Sequence, residues 1–459
     1  MAGWTPTLPT GAAPLYERLL DALRADIASG ALGDGARLPP QRDLAHRLGL
    51  GLGTVTRAYV EAEKAGLVTA HVGRGSFVRG AAAPPRPVPL AGPINLAQNI
   101  APQRAAADYL AEALTKLRRR SDLIDHLGYA PVAGLDVQRQ AGAAWLARSG
   151  KFEGADWTRL VCCAGAQQGL ALALIALTAP GDTVLCEAST YQGLKAIAEH
   201  RGLRLRGLAM DADGVRPDAL EAAARDGARV AMLLPTLQNP TGRIMSLRRR
   251  EEIVAVARRH DLWLVEDDIY AVYAGPDAPP PLAVLAPERV FHVSGVSKSL
   301  APGLRAGYLV TPPGEHLERV LRAIRALAYA PPAFGGLIAT QWIEDGTADL
   351  IAAAGVAETT ARLAMALEIL GPAVEAPASP AAPHLWLPMG ELDAERVAGR
   401  ALRGGVEVTP PSAPVVAPGL ETGVRICLGP ATNRADLERG LNVVAAALTG
   451  ADERSRGVI

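Results

Sequence analysis

Five prolines fall within residues 81–93, AAAPPRPVPLAGP, and they limit what this chain can fold into more than any other feature. Each proline fixes φ and lacks an N–H, so neither a helix nor an interior strand can run through them. A run of this kind is a semi-extended spacer. With 459 residues against roughly 100 to 200 per domain, the chain is expected to divide there. The division gives a small unit at 12–79, a Pro-rich linker at 80–93 and a body at 94–449, with a smaller lobe from about 371.

Hydrophobic residues make up 49% of the chain and charged ones 20%, with no net charge. That describes a soluble globular protein and excludes a chain-wide polycation, so any nucleic-acid surface must be local. The first residues lack a basic stretch followed by an apolar core, and the apolar run 170–177 is far short of the roughly 20 residues a bilayer needs. A cytoplasmic protein is expected. Cys162, Cys163, Cys186 and Cys427 show no CxxC spacing, so they read as reduced core residues and no metal site is expected.

In the small unit, Leu15, Leu19, Leu23 and Ile27 recur every four residues, the face of a helix ending near Gly30. A second helix is expected over 40–48. After a glycine turn at 49–53, Val55, Ala58, Tyr59 and Ala62 share one face of a third helix, which leaves Thr54, Thr56, Arg57 and Lys64 outward. Residues 67–78 alternate like a hairpin around Arg74 and Gly75. The sum is a winged helix-turn-helix whose third helix can enter a major groove.

The strings LPPQRDLAHRLGL, GTVTRAYVEAEKAGLV and GRGSFV together resemble the winged-helix domain of the GntR family of bacterial regulators, over residues 12–79. The resemblance implies double-stranded operator DNA as a partner. It assigns Arg42 to a phosphate, turns Thr54, Thr56 and Arg57 toward DNA, and places Gly73 and Arg74 at the wing tip. Residues 35–80 carry seven Lys or Arg against three acids, a modest local excess. Where the family usually has Ser or Thr followed by Arg, this chain has Gly51 and Leu52, so a common DNA-contacting arginine is missing.

In the body, strand-like runs at 160–163, 183–186, 230–234, 263–265 and 289–293 alternate with helical stretches, the pattern of an α/β fold with a mainly parallel sheet. Among them lie the parts of a Schiff-base site. Such chemistry needs a lysine amine, a carboxylate to keep a pyridine nitrogen protonated, and donors for a phenolic oxygen and a phosphate. SKSLAPGLRAGY offers Lys298 and, across a Pro302-Gly303 turn, Arg305. VEDDIY ends an apolar strand with Asp267 and Tyr270, and QNPTG supplies Asn239. GAQQGL opens a helix whose Ala166 and Gln167 N–H groups can hold an anion, and Tyr191 in STYQG offers an aromatic plane. Taken singly, that turn and that tyrosine are as readily packing features.

Together these motifs resemble fold-type I aminotransferases over 94–449, and the fusion behind a GntR-type reader resembles the MocR subfamily. The resemblance implies a multidomain α/β chain: a winged helix-turn-helix, then a fold-type I body with a mainly parallel large domain and a smaller α+β lobe. It assigns Lys298 to a Schiff base with pyridoxal 5'-phosphate, Arg305 with Gly165, Ala166 and Gln167 to its phosphate, and Arg425 in VRICLG to a substrate carboxylate. Tyr129 matches a tyrosine that reaches the neighbouring subunit's phosphate, which implies a homodimer. A serine common at position 166 is Ala166, and the serine usual three places before the lysine is Gly295, with Ser294 one place earlier as the candidate. The implied function is a transcription regulator that senses the cofactor or an amino compound joined to it. The alternative is a working aminotransferase acting on an amino acid.

Overall fold

The structure, a computed structural model, describes residues 4–9, 13–33, 35–71, 75–78, 92–102 and 104–450. Gly73, Arg74 and the linker up to residue 91 lie outside the described residues. Two compact units meet in sequence at Gly92 and Pro93.

The first unit has helices α1 (Leu15–Ala28), α2 (Gln41–Leu48) and α3 (Leu52–Lys64), then the hairpin β1 (Val68–His71) and β2 (Gly75–Val78). Leu19 and Leu23 of α1 close a core with Leu44, Val55, Ala58, Tyr59, Ala62, Val68 and Val78, while Leu15 stays exposed. The Tyr59 hydroxyl donates to the Pro39 carbonyl at 2.8 Å, satisfying the one polar atom that α3 buries here. β1 and β2 pair antiparallel, with Val68 opposite Val78, and Arg37 bridges Phe77 on the far side of β2.

In the body, β3 (Ile94–Leu96), α4 (Arg104–Arg118) and α5 (Asp136–Gly150) lead into β4 (Leu160–Cys163) and α6 (Ala166–Leu177). There follow β5 (Thr183–Glu187), α7 (Gln192–Arg201), β6 (Arg204–Leu208), a small hairpin of β7 (Met210–Asp211) and β8 (Gly214–Val215), and α8 (Pro217–Arg225). Next come β9 (Val230–Leu233), α9 (Leu247–Arg259), β10 (Trp263–Asp267), α10 (Leu282–Leu285), β11 (Val290–Gly295) and β12 (Gly307–Val310). The described residues of the body close with α11 (His316–Leu327), α12 (Ala333–Glu344), α13 (Thr347–Leu370), β13 (His384–Pro388), α14 (Glu391–Arg403), β14 (Val406–Val408), β15 (Gly423–Cys427) and α15 (Arg434–Thr449).

Seven strands form one sheet in the order β4-β12-β11-β10-β9-β5-β6. Only β12 runs antiparallel to its neighbours. β4, β9 and β11 are buried at every position, which is why they read as unbroken apolar runs rather than alternating ones. β6, an edge strand with Arg204 and Arg206, lacks that signature, whereas β12, a short return strand directly behind the Pro302-Gly303 turn, is also buried at every position.

A second lobe packs α13, α14 and α15 against two small sheets, β13 with β15 and β14 with β3. The first strand of the body therefore belongs with the C-terminal lobe, which the sequence pattern places only after residue 371. α13 is long and apolar enough to cross a membrane by length and composition. It carries the buried Arg362, however, whose Nη1 donates to the carbonyls of Leu428, Gly429 and Ala431 at 2.8 to 3.2 Å, and it packs on α15. It is a core helix of this lobe.

Candidate functional site

The C-terminal ends of parallel strands are where an α/β sheet collects its functional groups. Here they open on a cavity whose polar lining includes Gln167, Tyr191, Asn239, Asp267, Tyr270, Ser297, Lys298 and Arg305, with Leu170, Leu234 and Ile269 as apolar wall. Most of the residues that the sequence nominates for the cofactor thus share one space.

β10 explains the acidic triplet Glu266-Asp267-Asp268, because successive side chains on a strand take opposite faces. Asp267 faces the cavity. Glu266 points away and accepts from the N–H groups of Leu282 and Ala283, at the start of α10, at 2.8 and 3.0 Å. Asp268 lines a different cavity. Burial pushes the Asp267 carboxyl up to about 7, and the Ile269 N–H that donates to it offsets only part of that. Burial likewise pushes the Lys298 amine down and the Tyr270 hydroxyl far up. The Lys298 backbone is held by the Tyr273 hydroxyl, which donates to the Lys298 carbonyl at 2.7 Å, and its Nζ donates to the Asn99 carbonyl.

Asn239 is oriented by Arg425, whose Nη1 donates to Asn239 Oδ1 at 2.5 Å. The amide oxygen is thereby occupied and the amide nitrogen is left as the donor for the cavity. At the opposite end, Gly165 has φ 82 and caps the start of α6. A Cβ there would stand 2.7 Å from Arg305 Nη2, so only glycine lets the guanidinium lie across the helix start, where Nη2 donates to Ala164 O at 2.6 Å. The first-turn N–H groups of Ala166 and Gln167 and the Arg305 cation are a set that could hold an anion. Tyr191 precedes α7 beside Gly193, where a Cβ would stand 2.3 Å from the tyrosine ring.

Three nominated residues lie elsewhere. Ser294 is buried in β11 and its hydroxyl donates to Asp268 O at 3.1 Å; Ser297, directly before the lysine, is the serine that lines the cavity. A serine at Gly295 would put its Cβ 2.9 Å from Ala306 O, so the tight pairing of β11 with β12 explains the glycine. Arg425 is buried in β15 outside the cavity lining, joined to it through Asn239. Tyr129 is 84% exposed and stacks on Tyr329 at 4.6 Å between ring centroids.

In the small unit, Arg42 is exposed on α2 and Thr54 is half-buried on α3. Thr56 donates to Gln41 Oε1 at 2.8 Å and so ties α3 to α2. Arg57 folds back on α1: its guanidinium lies 4.0 Å above the Tyr16 ring and donates to the Tyr16 hydroxyl at 3.3 Å. Gly51 caps α3 without a side-chain hydrogen bond, and Leu52 beside it is 44% exposed.

Sequence patterns alone gave no hint of Asn99, Thr409, His384 or Cys427. Cys427 is buried with the other cysteines, but its Sγ donates to Ala97 O at 3.4 Å beside Arg425. These residues come from distant segments and carry no motif. Ser297 could have been found from its place beside Lys298.

Residues 91–444 match the family model for aminotransferase class I and II, and residues 15–78 match that for the gntR family of bacterial regulatory proteins. An uncharacterized HTH-type transcriptional regulator of Bacillus subtilis, YdeF, is 30% identical over 70% of each chain. The probable rhizopine catabolism regulatory protein MocR of Rhizobium meliloti is 28% identical over 65% of this chain and 66% of its own. Among solved structures, an archaeal alanine:glyoxylate aminotransferase superposes with a TM-score of 0.71 at 25% identity, covering 78% of this chain and 91% of that one. With a gntR-type reader in front of an aminotransferase class I and II body, the chain belongs to the MocR-type group of GntR transcription regulators.

Proposed function

We propose that the body binds pyridoxal 5'-phosphate and reports its loading, or that of an amino compound joined to it, to the DNA-reading unit. The observation that carries this is the meeting of Lys298 and Asp267 in one cavity, each with its charge disfavoured by burial. A buried amine poised toward its neutral form is a nucleophile, and a buried carboxyl with little compensation invites a cationic partner. Lys298 would hold the aldehyde carbon and Asp267 the pyridine nitrogen. Asn239 and Tyr270 would donate to the phenolic oxygen, Tyr191 would flank the ring, and Ala166, Gln167 and Arg305 would take the phosphate. The group, when bound, supplies an electron sink for an amino compound.

Two further partners belong to the proposal. Tyr129, Ile124 and Leu127 are 73 to 84% exposed, and such an apolar patch is suited to a second copy of the chain. Operator DNA, held by Arg42 and the exposed side of α3, places the chain in the cytoplasm beside the chromosome.

The test is direct. The purified chain mixed with cofactor should gain a visible absorption band that borohydride fixes to the Lys298 peptide and that Lys298→Ala loses. Retardation of the chain's own upstream DNA should then change with cofactor or with an added amino compound. No band removes the cofactor from the account, and retardation indifferent to every addition removes the sensing. Lys298, Asp267, Asn239, Tyr270 and Arg425 would equally serve transamination. Steady keto-acid formation from an amino donor, lost in Lys298→Ala, would replace sensing with catalysis.

A further inference from the structure

Immediately after the unit boundary, the chain does something that the packing of the body alone does not require. β3 pairs with β14, and Asn95 Oδ1 then accepts from the N–H groups of Ala97 and Gln98, both at 3.0 Å. The turn so formed directs one main-chain carbonyl at Arg425 and another at Lys298. Ala97 O receives Arg425 Nη2 at 2.6 Å, Thr409 Oγ1 at 3.0 Å and Cys427 Sγ at 3.4 Å, while Asn99 O receives Lys298 Nζ.

The Asn99 side chain fixes the end of this segment. Asn99 Nδ2 lies 2.8 Å from His384 Nδ1, and His384 Nε2 lies 3.0 Å from Gln238 O. A carbonyl only accepts, so Nε2 carries the ring proton and Nδ1 accepts from the amide. Asn99 Oδ1 is then turned away from His384, buried and without a partner, as is Arg425 Nε. An unpaired acceptor and an unpaired donor therefore lie beside the clasp made by the segment.

We propose that the segment 95–99 is a built-in occupant of the ligand site, displaced when a carboxylate-bearing amino compound takes over Arg425. This rests on the reading of the body as a cofactor-dependent sensor whose Arg425 takes a carboxylate, and it names the part that moves. A main-chain carbonyl offers the guanidinium one neutral oxygen, whereas a carboxylate offers a full opposite charge and two oxygens that match the guanidinium fork, so a carboxylate outcompetes Ala97 O. The ligand's second oxygen meets the unused Arg425 Nε. An amine without a carboxylate has nothing to offer Arg425 and leaves the clasp in place.

The experiment uses the full chain saturated with pyridoxal 5'-phosphate and compares each of the twenty L-amino acids and several ω-amino acids with the amine left on removing its carboxylate, ethylamine for L-alanine. Binding is followed by the change in the visible band, and hydrogen exchange is read at residues 94–102. The expected result is exchange several-fold faster in this stretch with the amino acids that bind, and unchanged with the matching amines. Thr409→Val, which removes one donor to Ala97 O and also one acceptor from Arg425 Nη2, leaves the guanidinium one partner short and should tighten the carboxylate-bearing ligand about threefold while leaving the amine where it was. Bound amino acid with unchanged or slowed exchange overturns the inference and spares the cofactor reading. Equal acceleration by amines, or binding by none of the amino acids, overturns it as well. Absence of the visible band sinks the cofactor reading and this inference together.

Discussion

In the body, Lys298, Asn239 and the pair Asp267 and Tyr270 come from three strand ends and meet behind an apolar wall, where a hydroxyl or an amine has few partners to choose from. In the small unit, Arg42 and Arg57 are exposed and Thr54 half-buried on adjacent helices, in reach of water. The difference is one of dielectric. Burial makes each polar group in the cavity cost or contribute several kcal/mol, whereas an exposed pair is worth roughly 0 to 1 kcal/mol. It also determines how far a residue's role follows from its type. Asp267 has one partner that fits, while Arg57 has found a tyrosine on its own unit.

The strongest way to break this contrast is Asp267→Asn. The carboxyl rises from an ordinary 3.8 to about 7 on folding. Between those pH values the folded protein keeps a proton that the unfolded chain releases, so stability without cofactor falls as pH climbs from about 4 to about 7. The amide has no such term. Without cofactor, the variant should therefore be the more stable protein at pH 7.5, by about 2 to 4 kcal/mol, with the gap closing toward pH 4. Its cofactor affinity should fall about 100-fold, since the ring nitrogen loses its anion. Thermal unfolding at the two pH values and a cofactor titration check both halves. A variant less stable at pH 7.5 would mean that Asp267 is paired within the chain and is not held for a ligand.

In the reader the effects should be smaller and should differ in kind. Arg42 is free to meet a phosphate, so Arg42→Ala should weaken DNA binding about tenfold and flatten the slope of log affinity against log salt by about 0.9. Arg57 must first leave the Tyr16 ring, an interaction worth about 0.5 to 1 kcal/mol at an exposed site, so Arg57→Ala should cost less than Arg42→Ala. Retardation at two salt concentrations ranks them. The reverse order would show that DNA strips Arg57 from Tyr16 and would place α3 deeper in the groove than its present contacts suggest.

Legibility in the sequence follows the same line. The helices of the reader and five strands of the sheet are visible as apolar periodicity, because each buries a face or both faces. The edge strand β6 has no such signal, because Arg204 and Arg206 break its apolar run, while the wholly buried β12 overlaps the string that carries Lys298 and Arg305. Lys298, Asp267, Asn239 and Arg305 are visible because strand ends and tight turns fix where they point. Ser294 misleads because on β11 its hydroxyl is spent on Asp268 O, and Ser297, past the strand, is the one that reaches the cavity. The contacts of residues 95–99 cannot be read at all, because they consist of backbone carbonyls that meet side chains 199 and 328 residues later.

The smallest effects should come from the start of α3, where this chain has Gly51 and Leu52. Gly51 leaves the helix without a side-chain cap, and a Cβ there would meet only Thr54 Oγ1 at 3.8 Å, so serine fits. Gly51→Ser should stabilise the unit by a few tenths of a kcal/mol, since glycine is itself a tolerable cap. Leu52→Arg replaces an exposed apolar group with a cation that can reach a phosphate, but at a helix N-terminus a cation opposes the dipole by about 0.3 to 1 kcal/mol. The two terms nearly cancel. The double variant should unfold at almost the same urea concentration as the parent, yet bind DNA a few-fold tighter at low salt, with the gain shrinking as salt rises. A gain that persists at high salt would mean that the arginine reads a base rather than a phosphate, and the reader would then share the cavity's dependence on a single well-placed group.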